Sequence, residues 1–121
     1  MAAINDEVFD QGLDYADTNG TRIDITSTDP GLTYATVTAN TLGNDTVNTG
    51  VTQDGATDGR RVVVPAITAG NVTGTGTATH WALTNATDTV IASGLLSSSQ
   101  AVTSGNTFTL DAISITIRDA T

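Results

Sequence analysis

Cysteine is absent from this 121-residue chain, and so is lysine. Without cysteine there is no disulfide framework, no thiolate metal site and no cysteine nucleophile. Without lysine, positive charge rests on four arginines against 13 acids, giving a net charge of −9. Such a field repels a phosphate backbone and an anionic membrane surface, so neither nucleic acid nor membrane is an expected partner. Aromatic residues make up 4%, with one tryptophan and one histidine, so the core must come mainly from Val, Ile, Leu and Ala. No apolar run approaches the ~18 residues of a membrane span. The opening MAAINDEVFD is acidic, with neither a basic stretch nor an apolar block, which is not the pattern of a secretory signal.

What the chain has in excess is threonine, 25 residues, together with 12 glycines and only two prolines. Threonine is β-branched and suits a pleated surface that is wet on one side. Strands joined by tight turns are therefore expected, in one domain spanning residues 1–121 with a single modest core.

Ile4 to Tyr15 is the one N-terminal helix candidate. Asn5 or Asp6 would cap it, Asp6 and Glu7 would sit at its positive end, and Val8, Phe9 and Leu13 form a short apolar stripe. Residues 1–16 are thus a helix or arm, docking either on the domain's own sheet or on a partner. Asp17 to Gly20 reads as an Asn-Gly turn. It lacks the spacing of a calcium loop, which would need an acid at Tyr15 and a glutamate at Thr26. Thr21 to Ser27 alternates, with Ile23 and Ile25 inward and Arg22, Asp24 and Thr26 outward. Residues 32–41 fit an edge strand or a short helix equally well. Residues 43–59 hold polar turn formers and read as a long surface loop.

Arg60 to Thr68 is a nearly continuous apolar run in which Pro65 marks an edge or a bulge. Val72 to Asn85 reads as one long strand carrying His80 and Trp81, followed by a turn at Asn85 to Asp88 and a strand over Thr89 to Leu95. SSSQ is read as a turn, and Ala101 to Thr103 as a short strand. In the last segment Phe108 and Leu110 alternate on even positions while Ile113, Ile115 and Ile117 alternate on odd ones. Either a bulge at Asp111-Ala112 restores one face, or the strand crosses from one sheet to another. The expected fold is mainly β, an antiparallel β-sandwich of about six to eight strands with a short N-terminal helix or arm.

No catalytic signature accompanies this pattern. His80 stands alone, GxSxG, HExxH and phosphate-loop patterns are missing, and GTGTAT lies inside a strand with no helix after it. The acids are scattered beside turns, and the Asn-x-Thr triplets at Asn19, Asn44, Asn71 and Asn85 are what an Asn- and Thr-rich chain produces by chance. No catalytic residue, metal or cofactor is expected, and the chain reads as non-enzymatic. Arg60-Arg61, the only basic pair, would meet either an acidic partner or the protein's own aspartates.

Several stretches taken together carry a resemblance: AINDEVFDQGLDY, TRIDITST, GRRVVVPAIT, GTATHWALT, and SSSQAVTSGNTFTL with the Ile-rich end. In this order, over nearly the whole chain, they resemble a family of small virion structural proteins of tailed phages and prophages. Within it the chain is most like a head decoration (cement) protein. The resemblance implies a virion component on the outer capsid surface, made in the bacterial host cytoplasm, whose partner is the major capsid protein, further copies of itself, or both. A small tail- or fibre-associated protein is the alternative within the family, and a glycan-binding β-sandwich is the alternative outside it. Its motifs are structural stretches, so no functional residue carries over. The contact elements expected here are Ile4, Val8, Phe9 and Leu13 of the N-terminal segment, with Arg60 and Arg61.

Overall fold

The computed structural model describes residues 5–55 and 59–118. In chain order these form helix α1 (Asp6–Asn19), strand β1 (Arg22–Thr26), helix α2 (Tyr34–Asn40) and strands β2 (Thr41–Thr46), β3 (Gln53–Asp54), β4 (Arg60–Val64), β5 (Ile67–Val72), β6 (Gly76–Thr84), β7 (Val90–Val102), β8 (Thr107–Leu110) and β9 (Ile113–Ile117). Six strands make a curled antiparallel sheet in the order β7-β6-β1-β2-β5-β8, and three make a smaller sheet in the order β3-β4-β9. The fold is mainly β, two antiparallel layers with an N-terminal helix. Nine strands are present among the described residues, the shortest being β3 with two residues.

The Asn5 side chain caps α1 by accepting from the Glu7 N–H at 2.9 Å, and Asp6 and Glu7 occupy the first turn. The helix runs four residues past Tyr15. The Asn19-Gly20 pair therefore ends a helix instead of making a free turn. The Gly20 N–H donates to the Ala16 carbonyl at 2.7 Å, and a Cβ at Gly20 would lie 2.5 Å from that oxygen and 2.9 Å from Leu83 Cδ2. Only glycine allows the chain to pass so close. Phe9, Leu13 and Ala16 fall on one helical face and are buried. Leu13 and Ala16 pack on Val62 of β4, with Ile91, Ile115 and Ile117 around them.

At the centre of the large sheet, β1 is covered on both sides. Asp24 and Thr26, expected to face outward, are 1% and 0% exposed. Arg22 holds Asp24 in a two-pronged ion pair at 2.8 and 3.0 Å, and the Thr41 hydroxyl donates to the same carboxylate at 2.6 Å. Buried charge is tolerated here because it is paired and hydrogen-bonded. The cover over this face comes from α2, whose Val37 packs with Ala82 and Val90.

The expected loop over 43–59 begins instead as a central strand. β2 pairs with β1 from Arg22↔Thr46 to Ile25↔Gly43 and with β5 through Gly43↔Val72. Its Gly, Asn and Asp are poor strand formers, and neighbours on both sides override that preference. Gly43 sits against the Phe108 ring, where a Cβ would approach Cε1 to 3.1 Å. The chain that follows is pinned as well: Thr49 is buried, and its hydroxyl donates to Asp17 at 2.9 Å.

Two strands cross between the sheets side by side. β4 gives way to β5 at Pro65-Ala66, and β8 to β9 at Asp111-Ala112. Pairing continues through both crossings, with Val64↔Ile113 in the small sheet and Ile67↔Leu110 in the large one. Pro65 has no N–H to leave unpaired at such a corner. The crossing explains the mismatched alternation near the C-terminus. Phe108 and Leu110 enter the main core from one layer, and Ile113 and Ile115 pack on it from the other.

The stretch 70–83 is not one strand. β5 ends at Val72 and β6 starts at Gly76. A register shift at Thr79 then puts Ala78 on the same buried side as Trp81 and Leu83. β7 continues through SSSQ as strand instead of the expected turn, with a bulge there: residues 96–99 lie opposite the single residue Thr79 of β6. The Asn85 turn forms as expected: the Asn85 side-chain oxygen accepts from the N–H groups of Thr87, Asp88 and Thr89.

Candidate partner-binding site

The residues expected to contact a partner separate into distinct environments. Ile4 lies outside the described residues. Phe9 and Leu13 are 3% and 2% exposed within the domain's own packing, so as folded they offer nothing to a partner. Helix period explains this: the two residues sit one turn apart on the face that meets β4, while Val8 points away and is 62% exposed. Gln11 and Gly12, one turn on along the same face as Val8, are exposed and uncharged.

Arg60 is engaged inside the molecule. It reaches Asp10 of α1 at 2.8 Å and Asp54 of β3 at 2.7 Å, tying helix and small sheet together. The hydrogen bonds it donates to Asp10 and then to Asp54 raise its pKa above the ordinary arginine value. Arg61 projects from the opposite face of β4. It donates to the Ser114 hydroxyl at 3.2 Å, and its buried Nε has no hydrogen-bond partner. Of the five expected contact residues among those described, Val8 and Arg61 are thus the two with side-chain surface or hydrogen-bonding capacity left over.

His80 is half-buried, with Nδ1 against the Thr79 hydroxyl at 2.8 Å. No group of three or more His, Cys, Asp or Glu converges as a metal site among the described residues.

A concavity lies where the curled sheet nearly closes on itself. A cleft of about 640 Å³ opens between β7, the end of β8 and the crossing into β9, with Trp81 in its wall. Gln100 spans the gap at one point, donating to the Thr109 carbonyl at 2.6 Å. Leu95 stands beside it, 73% exposed, and Asp111 is its one charged lining residue. A Cβ on Gly94 would lie 3.1 Å from the indole, so the tryptophan is held against the β7 backbone. Sequence reasoning missed this cleft, because SSSQ read as a turn and the consecutive strands that frame it, β7, β8 and β9, lie at opposite edges of the large sheet and in the small one. The uncharged run over 90–102 was the available signal.

No family model, curated protein or solved structure matches the chain.

Proposed function

We propose that the protein is a non-enzymatic virion component that decorates the outer surface of a tailed-phage head and stabilises it. The observation that carries this reading is the ordered, nearly whole-chain resemblance to small phage virion proteins. Charge supports it. Seven acids (Asp6, Glu7, Asp14, Asp29, Asp54, Asp88 and Asp111) are exposed, while Arg22 and Arg60 are neutralised by aspartates within the fold. A surface of that sign suits the outside of a DNA-filled shell and would be repelled on the inside.

The glycan-binding alternative has one observation in its favour, the placement of Trp81 in the cleft. It lacks the usual aromatic platform, since Tyr15 projects from α1 and Tyr34 belongs to the α2 cluster. Purified protein mixed with expanded, undecorated capsids should co-sediment at a fixed stoichiometry and raise their resistance to heat and low salt. Binding to tails without binding to capsids would overturn the reading in favour of a tail component. A clear ligand on a glycan array, with no capsid binding, would overturn it in favour of the sugar-binding module.

A further inference from the structure

Three outer strands converge on the cleft beside Trp81, with Gln100 bridging β7 to the Thr109 carbonyl of β8 at one point. β7 and β8 are the outer strands of the large sheet, and β9 is an outer strand of the small one. All three contribute to its wall. An edge strand presents alternate backbone N–H and C=O groups with no ladder partner. β7 adds more such groups. Opposite the single β6 residue Thr79 it carries residues 96–99, which have no partner in the register.

Exposed edges are normally blunted by charge or proline. β7 has neither. Its 13 residues, VIASGLLSSSQAV, include no charged side chain in a protein with 13 acids. The cleft walls combine apolar side chains (Leu95, Ile113) with the hydroxyls of Ser97 and Ser98, and Asp111 sits at the rim. Backbone pairing groups, an apolar-lined cleft and one carboxylate suit strand-addition recognition.

We propose that this cleft takes an extended segment of another protein, added as a strand along β7. Apolar side chains at every second position enter between Leu95 and Ile113, and a basic side chain meets Asp111. A second copy of this chain is the poorer occupant, because each copy brings a net charge of −9. The proposal does not depend on capsid decoration, and its test uses no capsid.

Trp81 is the only tryptophan and lines the cleft, so its emission reports occupancy directly. The probes are synthetic octapeptides alternating valine and threonine, N-methylated along one edge to prevent self-pairing. In two matched sets, arginine or glutamate replaces each threonine in turn. The arginine set should give a saturable change in emission, about ten-fold tighter than the glutamate set, with slowed exchange of β7 amides. Asp111→Asn should bring the two sets to nearly equal affinity. Leu95→Lys, at an exposed position that folding does not need, should abolish the response. Absence of a saturable response from both sets overturns the proposal, and so does a response that survives Leu95→Lys. Sedimentation of the free protein as a dimer with protected β7 amides also overturns it, since a second copy then holds the edge.

Discussion

Replacing Leu13 with alanine distinguishes a helix that belongs to the core from an arm that belongs to a partner. Leu13 is 2% exposed and packs with Ala16 on Val62, under Ile91, Ile115 and Ile117. Truncating a leucine so enclosed loses its transfer free energy and leaves a cavity, a cost of about 2–5 kcal/mol. α1 is further fixed by the Arg60–Asp10 pair, so it cannot slide to refill the space. Against a total stability of about 5–15 kcal/mol, the loss is a large fraction. For a domain of this size a loss of about 3 kcal/mol lowers Tm by roughly 9–15 °C. Val8→Ala, one turn-face away and 62% exposed, should stay within about 0.5 kcal/mol of the parent. Calorimetry and urea unfolding of the two variants make the comparison. If Leu13→Ala unfolds like the parent and only partner binding suffers, the helix is an arm and the packing described above is wrong.

Other perturbations test other joints of the fold. A Cβ on Gly70 would overlap the ring of Phe108, which is 1% exposed, so Gly70→Ala should destabilise by about 1–3 kcal/mol or more, and adding Phe108→Leu should recover part of the loss in a double-mutant cycle. Arg22→Ala leaves Asp24, 1% exposed, with only the Thr41 hydroxyl, and chemical denaturation should show a loss of about 3–5 kcal/mol. Hydrogen bonds from Asn85 and then Thr89 lower the pKa of Asp88 below its ordinary value. A carboxylate depressed by folding adds stability that is fully present above the unfolded-state pKa and lost as pH falls through the folded one. Protection of the Asn85–Thr89 turn amides, measured against their intrinsic exchange at each pH, should therefore fall as pH drops below about 4, and Asp88→Asn should remove that dependence.

Much of the fold is legible in the sequence where local pattern and final packing agree. Asn5, Asp6 and Glu7 announce the start of α1, and the mismatch between Phe108–Leu110 and Ile113–Ile117 announces a bulge or a crossing between sheets, of which the structure shows the crossing. The pattern misleads where neighbours override propensity. β2 contains Gly43, Asn44 and Asp45, residues of turns, yet strands on both sides hold it in the large sheet. Asp24 and Thr26 look like a wet face, and the Arg22 pair and α2 make it a buried one. The cleft is the least legible feature, since its walls come from residues 81, 95–100 and 109–113, and only the curl of the sheet brings them together.

Capsid decoration, the proposed role, predicts a position on the outside of the head. A cryo-EM map of particles carrying the protein decides this most directly. Density for the two-layer β-domain repeated over the outer face of the capsid lattice is the predicted result. The same density confined to the tail or its fibres, with a bare head, would contradict it.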